Sequence, residues 1–139
     1  MIFTETRGND GKRPAEVSFA TALLAPVASF GGIYSPKSMP AIDLDFLRRH
    51  LSSSYKTLAL ALLQHLDIDV DTTILQQALD RYDRFDDPAD PVPVVRIGEK
   101  LYVSELYHGP TRAFKDMALQ PFGVILSTLA QQRRQQYLI

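Results

Sequence analysis

Apolar positions along the chain follow two different periods. After Ser18, the residues Phe19, Ala22 and Leu23 form one short stripe that Pro26 closes, which predicts a brief helix capped by the Ser18 hydroxyl. Asp43 stands before Phe46 and Leu47, and Ser52 to Ser54 stand before Tyr55, Leu58, Ala59, Leu62 and Leu66. Asp71 likewise stands before Ile74, Leu75, Ala78, Leu79 and Tyr82. A small polar residue ahead of a stripe recurring every three or four positions predicts a capped, half-buried helix in each case. Beyond these the period changes. Val92–Ile97 and Leu101–Leu106 are β-rich runs parted by Gly98-Glu99-Lys100, a spacing suited to a hairpin. Pro93 confines the first strand to an edge or to its own beginning. Helical spacing returns with Phe122, Ile125, Leu126 and Leu129.

The breaks between these stripes organise the chain. Residues 1–16 hold Gly8, Gly11 and Pro14 and read as an extended lead-in followed by a loop. Ser29 to Pro36 reads as a loop in which Gly31 and Gly32 turn the backbone tightly. Neither G-x-G-x-x-G nor a Walker spacing occurs, so this glycine pair is not a phosphate cradle. Arg84 to Pro91 mixes acids with prolines and ends the helical region, which places a domain boundary there, between 1–84 and 85–139.

Composition narrows the function. With 139 residues, 45% of them hydrophobic, the chain suits one ordinary domain that buries roughly two-thirds of its unfolded surface. A formal charge of −1 with no concentrated basic block argues against nucleic acid as a partner. No apolar run approaches the roughly 20 residues that span a bilayer, and the first residues lack the apolar core of a signal peptide. The absence of cysteine removes disulfides, thiolate metal sites and cysteine nucleophiles, and suits a cytoplasmic, reducing compartment. No metal site is expected. His50 and His65 read as surface or satisfied helix residues, and Gln131 to Gln136 as a solvated helix face.

The chemistry-bearing segment runs from Tyr107 to Gln120. Gly109-Pro110 ends the preceding strand, and the turn delivers Lys115 into the first turns of the last helix. A cation there is disfavoured by the helix dipole, and partial burial disfavours it further, so both push the amine toward its neutral, nucleophilic form. Read from residue types alone, the neighbours carry plainer roles. His108 fixes the turn, Thr111 caps the helix, Asp116 complements the dipole and Phe114 joins the core.

The string Glu105-Leu106-Tyr107-His108-Gly109-Pro110-Thr111, with Ala113-Phe114-Lys115-Asp116 and Ala118-Leu119-Gln120, resembles the pyridoxal-phosphate lysine motif of the threonine synthase family. Thr6-Arg7-Gly8, Val17 to Leu24 and Gly31 to Pro36 resemble that family's amino-terminal region in the same order. The resemblance implies an α+β fragment of an α/β enzyme of the tryptophan-synthase β-like fold, fold type II. A helical amino-terminal domain over 1–84 would be followed by a β-hairpin and a long helix that begin the pyridoxal-phosphate domain over 85–139. It implies conversion of O-phospho-L-homoserine and water to L-threonine and phosphate. Lys115 would be the catalytic and cofactor-binding residue, with Phe114 helping to place the cofactor ring and His108, Thr111 and Asp116 shaping the pocket.

Several departures from the family pattern are local. Phe30 stands where an acid is usual, and Arg112 and Pro121 replace apolar residues. Pro121 removes one helical hydrogen bond, so the last helix is expected to kink or to restart there and run over 121–138. Family members are much longer, and their substrate-carboxylate and cofactor-phosphate loops lie beyond Ile139. This implies an amino-terminal fragment, inactive alone and inclined to self-associate through bared apolar surface. A threonine-synthase-like phospholyase and a non-catalytic interaction module are the alternatives.

Overall fold

The computed structural model describes residues 1–137. The lead-in forms β1 (Ile2–Glu5), the central strand of an antiparallel sheet between β2 (Glu16–Ser18) and β3 (Tyr34–Pro36). Phe3 pairs with Val17 on one side and Pro36 on the other. The expected loop over 29–36 is therefore corrected: its second half is a strand. Phe30 (φ 54°) and Gly31 (φ 69°) reverse the chain through two left-handed residues, and Ala28 and Gly32 close the turn by a 2.9 Å backbone bond. Ile33 then returns to β1, where its carbonyl accepts from the Thr6 N–H at 3.0 Å. Ser29 is fully buried, and its N–H and hydroxyl both donate to Glu5 Oε1, at 2.9 and 2.7 Å. The amino-terminal unit thus carries a sheet beside its helices.

Four helices form where a cap precedes an apolar stripe. In α1 (Phe19–Leu24) the Ser18 hydroxyl accepts from the Thr21 N–H, and in α2 (Leu44–His50) the Asp43 carboxylate accepts from the Phe46 N–H. Ser54 and Asp71 cap α3 (Tyr55–His65) and α4 (Thr72–Leu79) in the same way, through the N–H groups of Thr57 and Thr73. Each such cap contributes about 1 kcal/mol by satisfying an orphan helix donor. His50 and His65 flank the buried Phe46 ring at 4.6 and 5.0 Å, the structural role expected for both.

The last helix, α5 (Asp116–Gln132), packs on α1 and α4. Its Ile125, Leu126, Leu129 and Ala130 join Ala20, Leu24, Ile74, Leu75 and Ala78 in one apolar core. Neither a restart at Pro121 nor an end at 138 is found, although residue 138 itself lies outside the described residues. The helix is continuous through Pro121 and stops at Gln132. The reason lies across the core. Pro121 has no N–H for the Met117 carbonyl, and the Tyr82 hydroxyl donates to that carbonyl instead at 2.6 Å. Burial, followed by the neighbouring Tyr55, pushes the Tyr82 hydroxyl well above the usual tyrosine range, so it stays a donor.

A second cluster joins Leu79, Tyr82 and Phe85, with Tyr55 and Phe85 meeting the Tyr82 ring edge-on at 5.0 and 5.2 Å. Phe85 and Pro91 are buried, so the 84–91 segment is anchored at both ends. Beyond it, β4 (Val94–Arg96) and β5 (Tyr102–Ser104) form the expected antiparallel hairpin, exposed along its length. Among the described residues no helix is long and apolar enough to cross a membrane. Among the same residues no group of three or more histidine or acidic side chains is arranged to hold a metal ion.

Candidate functional site

The turn between β5 and α5 is built around one buried carboxylate. Asp116 is 2% exposed and accepts from the Thr111 N–H at 2.7 Å, the Thr111 hydroxyl at 3.0 Å and the Gln120 side-chain amide at 3.1 Å. Burial alone would raise its carboxyl, but the bonds from Gln120 and Thr111 outweigh it and hold the group below the usual aspartate range. Gly109 packs directly on this side chain. A Cβ at position 109 would overlap Asp116 Cβ and lie 2.8 Å from its Cγ, which no real side chain tolerates. Arg112 completes the turn in the left-handed region (φ 61°), its N–H donating to the Gly109 carbonyl at 3.1 Å.

Lys115 caps the start of α5 through its backbone, its carbonyl accepting from Ala118 and Leu119 at 3.0 and 2.8 Å. Its side chain is exposed, which corrects the expected partial burial. Successive helical residues point about 100° apart, and Asp116 occupies the inward direction. Lys115 keeps its place at the positive end of the helix. Phe114 does not join the core: it is 64% exposed, with its ring centroid 5.7 Å from Lys115 Nζ. Thr111 does not cap the helix, since no side chain fills that role, and instead supplies both of its polar groups to Asp116.

His108 is half-buried and meets two carboxylates, Glu105 at 2.8 Å from Nε2 and Asp86 at 3.1 Å from Nδ1. The Arg112 guanidinium pairs with the same Asp86 oxygen that faces His108. The turn thus joins Thr111 to the buried Asp116 and ties His108 separately to Glu105 and Asp86, while Lys115 and Phe114 are exposed. Glu105, Asp86 and Arg112 belong to this arrangement and were not among the residues that sequence reasoning selected. The three-residue spacing from Glu105 to His108 was a usable signal. Nothing local links Asp86 to a histidine 22 positions later.

These residues fit an aldehyde cofactor in one respect. Lys115 offers an exposed primary amine that no hydrogen bond or ion pair engages among the described residues, and the exposed Phe114 ring beside it, 5.7 Å from Nζ, offers a flat apolar face. The fit of pyridoxal phosphate to this chain therefore rests on Lys115 and Phe114.

The chain is similar along its whole length to known proteins. The family model described as Threonine synthase N terminus matches residues 2–81. Threonine synthase of Methylobacillus glycogenes is 32% identical over 96% of this chain and 29% of its own length. Threonine synthase-like 2 of Rattus norvegicus is 28% identical over 100% of this chain and 28% of its own. The crystal structure of PLP-bound threonine synthase from Brucella melitensis superposes with a TM-score of 0.86 at 32% identity, over 96% of this chain and 28% of that one. Threonine synthase from Escherichia coli superposes with a TM-score of 0.74 at 26% identity. This chain spans less than a third of the length of each. The mixed α/β architecture matches part of those enzymes, and with the family model covering more than half of its residues, the chain belongs to the threonine synthase N-terminus family.

Proposed function

We propose that this chain is the amino-terminal part of a threonine synthase, a pyridoxal-phosphate-dependent lyase converting O-phospho-L-homoserine and water to L-threonine and phosphate. Residues 1–84 are its amino-terminal unit and 85–139 the start of its cofactor domain. The observation that carries this reading is Lys115: an exposed amine at the head of α5, in no hydrogen bond or ion pair among the described residues, beside the buried Asp116 within a run that resembles the family's lysine motif. Bound covalently at this lysine, pyridoxal phosphate would supply an electron sink for carbanionic chemistry on the substrate.

The protein's own contributions follow from the turn. Lys115 Nζ would hold the cofactor aldehyde and, as a free amine, would hold and move protons at the substrate. Phe114 would pack beside the cofactor ring. Asp116, through Thr111 and Gly109, sets where the lysine leaves the backbone and so acts as a positioning residue, as do His108 and Thr111. By itself the chain is inactive in this reading: Lys115 is open to solvent, and dry, preorganised surroundings supply much of what a protein adds to such chemistry. Its compartment is the cytoplasm, and its exposed hairpin inclines it to self-association. A threonine-synthase-like phospholyase acting on another phosphorylated amino compound is the second reading, favoured by identities of 28% and 30% to the threonine synthase-like 2 proteins of rat and mouse.

The test is covalent labelling. After incubation with pyridoxal phosphate and borohydride reduction, the modification is mapped across Lys12, Lys37, Lys56, Lys100 and Lys115. Label concentrated on Lys115 and lost in Lys115→Ala is expected. Label spread evenly over all five lysines refutes the assignment. Threonine formation from O-phosphohomoserine by this chain at an ordinary enzyme's rate would refute its inactivity.

A further inference from the structure

Both ring nitrogens of His108 face carboxylate oxygens, Glu105 Oε2 at 2.8 Å and Asp86 Oδ2 at 3.1 Å. A neutral imidazole carries one N–H and can satisfy only one of them, whereas the imidazolium donates to both. The backbone repeats the connection, since the Asp86 N–H donates to the His108 carbonyl at 3.1 Å. Arg112 adds a third link through its guanidinium to Asp86. Asp86 follows directly on Phe85, which is anchored in the Tyr55–Tyr82 cluster. The turn that precedes Lys115 is therefore tied on one side to Asp116 and on the other, through His108, to a fixed point of the core.

We propose that His108 is a positioning residue of the lysine turn: as a doubly donating imidazolium it clasps residues 105–112 to Asp86, and loss of the ring proton releases one arm of the clasp. The bearing of the clasp on the cofactor lysine rests on the function proposed above; the clasp itself does not.

The charged and titratable groups around the ring are Glu105 and Asp86, which face it, Arg112, which shares the Asp86 oxygen, and Tyr107, whose ring lies 4.6 Å away. Hydrogen bonds from Glu105 and then Asp86 raise His108 above the ordinary histidine value. The sign follows from that direction. The clasp is complete below about pH 6.5, the unperturbed value, and is lost as pH rises through the higher folded value. Release thus falls on the alkaline side of the ordinary histidine value.

The experiment is an NMR titration of the 139-residue protein, following the His108 ring and the amides of Asp86 and Arg112 between about pH 5 and pH 9. A ring midpoint above about 6.5 is expected, with both amides moving at that same midpoint. Glu105→Gln and Asp86→Asn should each lower the midpoint by about half a unit, roughly a threefold loss of proton affinity. A midpoint that ignores both substitutions, or amides that do not follow the ring, overturns the clasp whatever Lys115 binds. In parallel, the ratio of reducible pyridoxal-phosphate label on Lys115 to that on Lys100 should bend at the ring midpoint and run smoothly in His108→Gln. The same bend in His108→Gln overturns the link to Lys115. A clasp that titrates as expected, with label never favouring Lys115 at any pH, refutes the cofactor reading alone and leaves the clasp supported.

Discussion

Tyr82→Phe isolates one hydrogen bond while leaving its ring in place. The phenyl group keeps the edge-on contacts with Tyr55 and Phe85, at 5.0 and 5.2 Å between centroids, so packing changes little. What is lost is the 2.6 Å donation to the Met117 carbonyl, the carbonyl that Pro121 leaves without its helical partner. Tyr82 is 4% exposed, and Met117 packs against the same cluster. Stranding a buried acceptor costs about 1–3 kcal/mol. In a Pro121→Ala background the restored N–H at 121 serves Met117, and removing the hydroxyl should then cost only the about 0.5–1.5 kcal/mol of an ordinary net bond. Urea titrations followed by circular dichroism on the four proteins of this cycle measure the difference, provided the slope with denaturant is unchanged. A coupling of about 1 kcal/mol is expected. Equal costs in the two backgrounds, within about 0.3 kcal/mol, refute the idea that Tyr82 compensates for the proline.

Gly109→Ala drives a Cβ into Asp116 and should cost about 1–3 kcal/mol as the turn shifts to relieve the overlap; a neutral result in urea would show the turn to be looser than described. Asp116 titrates below the usual aspartate range, so its contribution to stability is complete above about pH 3.9 and is lost as pH falls through its lower folded value. Asp116→Asn should therefore flatten the acid limb of a stability–pH curve recorded below about pH 4, and an unchanged limb would count against the carboxylate's role. Leu75, 1% exposed at the centre of the main core, should lose about 2–5 kcal/mol on Leu75→Ala, read by the same denaturation assay.

What was legible in the residues is what is decided within three or four positions. Ser18, Asp43, Ser54 and Asp71 cap their helices through N–H groups two or three residues ahead, and no distant contact is needed to form those bonds. The stripe of α4 behaves likewise, with Ile74, Leu75, Ala78 and Leu79 all buried. On α3 the period was right and the facing only partly so. Leu60 and Leu63 pack on both clusters, while Leu62 and Leu66 line an apolar groove of about 450 Å³ with Leu23 and Phe122. The direction a helix presents is chosen by its neighbours rather than by its own stripe.

The misreadings share one cause, a local rule answered from far along the chain. Tyr34–Pro36 lacks the length for an alternating pattern, and its partner is a strand some thirty residues earlier. Pro121 breaks the helix rule, and the donor that repairs it is Tyr82, 35 positions away. At the candidate site the motif points to Lys115, but exposure depended on which neighbour turned inward, and Asp116 holds that position because Thr111 and Gln120 supply it with donors. The same logic governs His108. Glu105 can partner it by sequence alone, yet a single partner leaves the ring free to be neutral, and only Asp86, brought up by the burial of Phe85, places a second acceptor opposite the other nitrogen. The second acceptor opposite His108 is thus a consequence of core packing, which is why residue types and spacing in the motif could not show it.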